Sequence, residues 1–168
     1  MDSHITLDQF YKEATELLAG AGVSSASLDA RVILCKTLDI SDVDFITEAK
    51  TMVLDDVELY ALQKNLEKRT DGMPVSRIFG QREFWGMSFY INEFCLDPRP
   101  DTETLIEAVI KRFKSQKKDH LKIIDFGTGS GCIPIALLTE FPNATATAID
   151  ICPKALDVAK KNADRLGV

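Results

Sequence analysis

The stretch from Ile123 to Cys132, IIDFGTGSGC, constrains the fold more than any other, because a run of apolar β-formers ends in three glycines within five positions. Bare backbone of this kind suits a tight turn between a strand and a helix. From Leu121 onward the pattern reads LKIIDF as a strand, GTGSG as the turn and CIPIALLTEF as a helix. ATATAID then reads as a second strand and PKALDVAKKNADRLG as a second helix. Pro153 falls near the first position of that last helix, and Pro134 in the first turn of the earlier one, where no intrahelical N–H bond is lost. Strand, helix, strand, helix implies parallel strands in a doubly wound α/β sheet.

A glycine turn there does two jobs. Missing side chains let a ligand touch the main chain, and free N–H groups at a helix start attract an anionic or acceptor group. Asp150, at the end of the next strand and 19 residues beyond Gly131, is placed to accept hydrogen bonds from ribose hydroxyls. A dinucleotide turn would need G-x-G-x-x-G, but the third glycine arrives one residue early and position 132 is Cys. That spacing makes a NAD-dependent dehydrogenase the weakest reading. Asp125 lies two residues before Gly127, so the run is D-x-G-x-G-x-G, the pattern of S-adenosylmethionine (SAM)-dependent methyltransferases.

Upstream, residues 1–73 read as short helices. Thr6 with Gln9 is a capping-box signature, followed by Leu7, Phe10, Ala14, Leu17 and Leu18 at helical spacing. SLDARVILCKTL should form a second helix with Leu28, Val32, Cys35 and Leu38 inward, a short third should follow Ser41, and Asp55 with Glu58 should open a fourth. After Pro74 the aromatic run REFWGMSFYIN predicts a β-hairpin from about Arg82 to Leu96, bent at Gly86, within a connector over 74–98. In DPRPDTET, Asp101 is expected to cap a helix over TETLIEAVIKRFKS, which opens the third segment, 99–168.

Charge and cysteine usage narrow the classes. Residues 1–75 hold 14 Asp/Glu against 7 Lys/Arg, a balance that repels nucleic-acid phosphates. The four cysteines have no CxxC spacing and only two histidines accompany them, so no metal set is expected, and reduced cysteines suit a cytoplasmic protein. No window is apolar for long enough to span a membrane, and the N-terminus lacks the build of a signal peptide.

Three segments together resemble the release-factor glutamine methyltransferase family: PVSRIFGQREFWG at Pro74 to Gly86, PRPDTETLIE at Pro98 to Glu107, and the glycine turn continued through AIDICPKALDVAKKNA to Ala163. The resemblance implies a small all-helical N-terminal domain for substrate recognition, a hairpin connector and the first half of a Rossmann-like SAM-dependent domain. It implies methylation of the glutamine amide in the Gly-Gly-Gln tripeptide of peptide chain release factors by a monomeric enzyme. By the same resemblance Gly127, Thr128, Gly129, Ser130 and Gly131, with Asp125, line the methionine end of SAM, and Asp150 holds its ribose. Arg99, Pro100, Asp101 and Thr102 border the active-site mouth, which Phe84 and Trp85 brace. Asp97 stands where the family usually has an apolar residue. The family's amide-orienting Asn-Pro-Pro-Tyr does not occur in these 168 residues, so no catalytic residue is identified and the chain is expected to be a truncated, inactive piece. Two other readings stay open: a non-catalytic protein-binding module, and a methyltransferase acting on a nucleic-acid amine.

Overall fold

The structure is a computed structural model that describes residues 5–168, and it divides at Phe79 and Gly80 into two compact units. The first holds five helices: α1 (Leu7–Gly20), α2 (Ala26–Leu38), α3 (Asp42–Glu48), α4 (Asp56–Thr70) and α5 (Val75–Phe79). Local chemistry starts three of them. Thr6 with Gln9, Ser41 with Asp44 and Asp55 with Glu58 each close a reciprocal capping box, satisfying N–H groups that the helix leaves orphaned. Leu7, Phe10, Leu18, Ile33, Leu34, Leu62 and Leu66 meet in one core. A half-buried Asp29–Arg69 ion pair at 2.7 Å ties α2 to α4.

One inward assignment changes, and one residue of the α1 spacing faces out. Leu28 is 52% exposed, because α2 buries the stripe Ala26, Ala30, Ile33 and Leu34, and position 28 lies on the opposite side of that stripe. Leu17 is 53% exposed, while Leu18 takes the core-facing position and Leu17 lines a shallow groove beside α4. Cys35 is buried as expected, and Val32 and Leu38 are half-buried.

In the second unit, β1 (Gln81–Phe84) and β2 (Met87–Tyr90) form an antiparallel hairpin with Phe84 opposite Met87. Trp85 and Gly86 alone make the turn, at φ 53° and 65°, the left-handed pair that matches strand twist. The ladder stops at Tyr90 rather than near Leu96, since the Asn92 side chain accepts from the Phe94 N–H at 3.0 Å and folds the chain into a turn. A 3₁₀ turn (Pro100–Thr102) runs into α6 (Glu103–Arg112). Asp101 therefore caps nothing with its side chain; it lies inside that turn, and its carbonyl accepts from the Thr104 hydroxyl at 2.6 Å.

The remaining elements follow the expected order: β3 (Lys122–Phe126), α7 (Cys132–Glu140), β4 (Thr145–Ile149) and α8 (Pro153–Leu166). The strands are parallel, with Ile123 opposite Ala146 and Phe126 opposite Ile149. This is the opening of a Rossmann-like sheet. Ile135 and Leu137 of α7 are buried with Phe84, Phe89, Ile106 and Phe141. On the other face Ile124 and Phe126 stay exposed, the latter at 76%. No helix among the described residues is long and apolar enough to cross a membrane, and no group of three metal-binding side chains occurs among them.

Candidate functional site

The C-terminal ends of β3 and β4 bring Asp125, the glycine turn and Asp150 together. Gly127, Gly129 and Gly131 all take left-handed φ values, 75°, 55° and 79°. Their reasons differ. A Cβ on Gly131 would lie 3.1 Å from the Ala159 Cβ, so this glycine lets α8 close against the turn. A Cβ on Gly127 would meet nothing within 4 Å, so bare backbone there faces open space.

Most of the turn's N–H groups are not free, contrary to the expectation from sequence. Gly127 and Thr128 both donate to the Ile149 carbonyl, at 2.8 and 3.0 Å, and Gly131 donates to the Thr128 carbonyl at 2.9 Å. Gly129 donates to Asp150 Oδ2 at 2.8 Å, while Asp150 Oδ1 accepts from the Cys152 N–H at 2.9 Å. Those two backbone bonds, Cys152 first, hold the Asp150 carboxyl below its ordinary range. The carboxylate thus clasps the two loops before it does anything for a ligand.

What the turn offers instead is an unpaired acceptor and an unpaired hydroxyl. Asp125 Oδ2 and Thr128 Oγ1 are buried with no hydrogen-bond partner, and the buried Ser130 hydroxyl has only the Cys132 thiol beside it. Such groups are costly to leave unsatisfied, and the first two lie where β3 runs into the glycine turn. Ser130 sits beside Cys132, whose thiol burial pushes up and the Ser130 hydroxyl partly restrains.

Asn162 of α8 has no counterpart in the residues singled out from sequence. It is fully buried, accepts from the Tyr90 N–H at 2.8 Å and donates to the carbonyls of Tyr90 and Ser130, both at 2.9 Å. The signal in the sequence was its register: Ala155, Val158 and Ala159 form the apolar stripe of α8, and Asn162 continues it.

The border residues Phe84 and Trp85 have partners of their own. Phe84 is a core residue, packed edge-on against Phe89 at 6.0 Å. The Trp85 N–H donates to Glu103 at 2.8 Å, just after Thr102, and its indole donates to Glu140 at 3.2 Å, the last residue of α7. Glu140 is also bridged to Lys117 at 2.9 Å, and these partners hold its carboxyl low. Arg99, Pro100 and Asp101 are exposed and Thr102 is half-buried; among the described residues no hydrogen bond joins them to the glycine turn.

Residues 9–80 match the family model of a PrmC N-terminal domain, and residues 117–168 match that of a methyltransferase domain. The chain is 39% identical over 152 residues to a release factor glutamine methyltransferase of Bradyrhizobium diazoefficiens, covering 90% of the chain and 51% of that relative. It is 36% identical to one of Vibrio cholerae, covering 98% of the chain and 56% of the relative. A bifunctional methyltransferase of Rickettsia felis is 31% identical over 183 residues, with 94% of the chain and 34% of that protein covered. The chain spans about half the length of the release factor glutamine methyltransferases it matches.

Proposed function

The chain belongs to the family of the release factor glutamine methyltransferases, and from that premise we propose that a protein carrying it methylates the side-chain amide nitrogen of a glutamine, using SAM. The substrate is the Gly-Gly-Gln glutamine of a peptide chain release factor, and the setting is the cytoplasm. The reading is supported by the open space at Gly127 and, in the same stretch, by the Asp125 carboxylate oxygen and Thr128 hydroxyl that have no hydrogen-bond partner. These groups fit the charged methionine end of SAM, and the lone pairs left on Asp150 suit ribose hydroxyls.

When bound, SAM supplies an electrophilic methyl group on a positively charged sulfur. The chain's own contribution is to bind and orient. Gly127 to Gly131 present main chain to the cofactor, Asp150 fixes the loops around it, and Arg99 to Thr102 form the rim that receives the substrate. Phe84 and Trp85 brace that rim, a role supported by the Trp85 bond to Glu103 at the start of α6. An amide nitrogen is a poor nucleophile because its lone pair is delocalised, so transfer also needs donors and acceptors that hold the amide against the methyl group. The family's Asn-Pro-Pro-Tyr does this, and these 168 residues do not contain it.

Calorimetry of the chain with SAM tests the first half of the reading, and a labelled-methyl assay tests the second. The assay offers a release factor and, separately, duplex DNA to a protein in which this chain is continued by a second half like that of its relatives. Label is expected on the glutamine alone. Label on adenine would replace this reading with a nucleic-acid methyltransferase, and SAM binding without any transfer would favour a binding module. The 168-residue chain by itself is expected to transfer nothing at saturating SAM.

A further inference from the structure

We propose that Asn162 is a positioning residue for the cofactor turn, setting SAM affinity by holding the Ser130 carbonyl in place; this rests on the SAM reading above. Gln81 and Tyr90 are opposed without direct bonds, as the Ile91 N–H to Gly80 carbonyl bond at 2.9 Å requires, so the Tyr90 N–H and C=O point away from β1. The Asn162 amide pairs with both, as another strand would, and spends its second donor on Ser130.

The chemistry selects asparagine. The position needs one acceptor and two donors on a short arm, and the two carbonyls with one N–H fix which end of the amide is oxygen. Leu offers none of these, Asp at neutral pH offers no donor, and Gln is one methylene longer. The same helix acts twice on the turn, since Ala159, one turn earlier, lies against Gly131. At the other end Asp150 holds the Gly129 N–H. Ser130 is therefore gripped on both sides, through the N–H of the residue before it and through its own carbonyl.

Glycines permit many alternatives once released. Without the Asn162 bonds the turn spreads over other conformations, and the apparent dissociation constant becomes the intrinsic one divided by the fraction of time the binding form is populated. The residues that touch the ligand are unchanged.

The test is calorimetry with SAM on the whole chain, wild type against Asn162→Asp and Asn162→Leu, from pH 5 to 9. A protonated Asp can donate to one carbonyl, whereas its carboxylate faces both carbonyl oxygens. Charged and titratable groups nearby are Lys161, stacked 3.7 Å over the Tyr90 ring, Arg165, which donates to the Ser88 carbonyl, Asp150 and the Cys132 thiol. Wild type carries them all, so the ratio of variant to wild-type dissociation constants at each pH removes their titrations. The expected ratio for Asn162→Asp is about tenfold or more at pH 8 and falls several-fold by pH 5, while Asn162→Leu stays weak throughout. A ratio near one at pH 8, or a loss that does not vary with pH, overturns the assignment. If either variant fails to fold, the wild-type side-chain amide protons of Asn162 decide: their exchange should slow as SAM saturates, and no change overturns the proposal. Should wild type bind no SAM at all, the cofactor reading fails, and faster amide exchange at Gly131 in Asn162→Asp still tests the latch, with unchanged exchange sinking it.

Discussion

Asp150 has both oxygens engaged by backbone N–H groups, yet each oxygen keeps a second lone pair. Removing the carboxylate should therefore harm binding twice, through lost ribose contacts and through a slack turn. Asp150→Ala is expected to weaken SAM binding by about 1.5–3 kcal/mol, and unchanged affinity by calorimetry would remove Asp150 from the site. Glu140 allows a test of pH dependence. Its carboxyl is held low by Lys117 and Trp85, so the unfolded chain binds its proton more readily, and its stabilisation is complete at neutral pH. That contribution drains away as the pH falls through the ordinary glutamate value of about 4.3 and on through the lower value of the folded state. Melting temperatures of wild type and Glu140→Gln should accordingly differ at pH 7 and converge at low pH; a difference constant with pH would show the carboxylate charge to be irrelevant. That Asp125, the three glycines and Asp150 come together at the strand ends is legible in the sequence, because their spacing along the chain is itself the signal. Asn162 is not, since in AKKNADR it looks like one more solvated residue until the stripe of α8 is drawn. The use of turn N–H groups by Ile149 was hidden for a related reason, being a contact between loops that only the parallel pairing creates.

Gly131 is where element packing is most sensitive to one atom. Gly131→Ala places a methyl 3.1 Å from both Ala159 Cβ and Ile135 Cδ1 and forces a residue other than glycine to φ 79°, so α8 must back away. A loss of about 1–3 kcal/mol is expected, read as a lower urea midpoint with an unchanged slope. Gly127→Ala carries the φ penalty without the clash and should cost less stability, which separates strain from crowding. The helices of the first unit were legible because caps are local: Thr6, Ser41 and Asp55 each announce a start within four residues. α5 was not, because PVSRIF has no cap signature and folds where Val75, Ile78 and Phe79 pack on the helical core. The hairpin is shorter than its sequence suggests because FYINEFCL keeps an extended composition past Tyr90, and a single Asn92 side chain ends it.

Across the molecule, the helical unit encloses its core, whereas the two-stranded parallel sheet covers one face only. Ile124, Phe126, Ile149 and Ile151 are left to water on that second unit. Hydrogen exchange should be slow in α1, α2 and α4 and fast at the β4 amides, with α7 intermediate because α6 and the hairpin cover it; uniform protection through Val168 would contradict this. Trp85, the single tryptophan in the chain, makes that contrast visible optically. Its indole is bonded to Glu140, so its emission belongs to the second unit, while far-ultraviolet circular dichroism sums helices from both. Titrated with denaturant, fluorescence should fall before ellipticity does, and added SAM should move the fluorescence midpoint while leaving the later ellipticity step where it was.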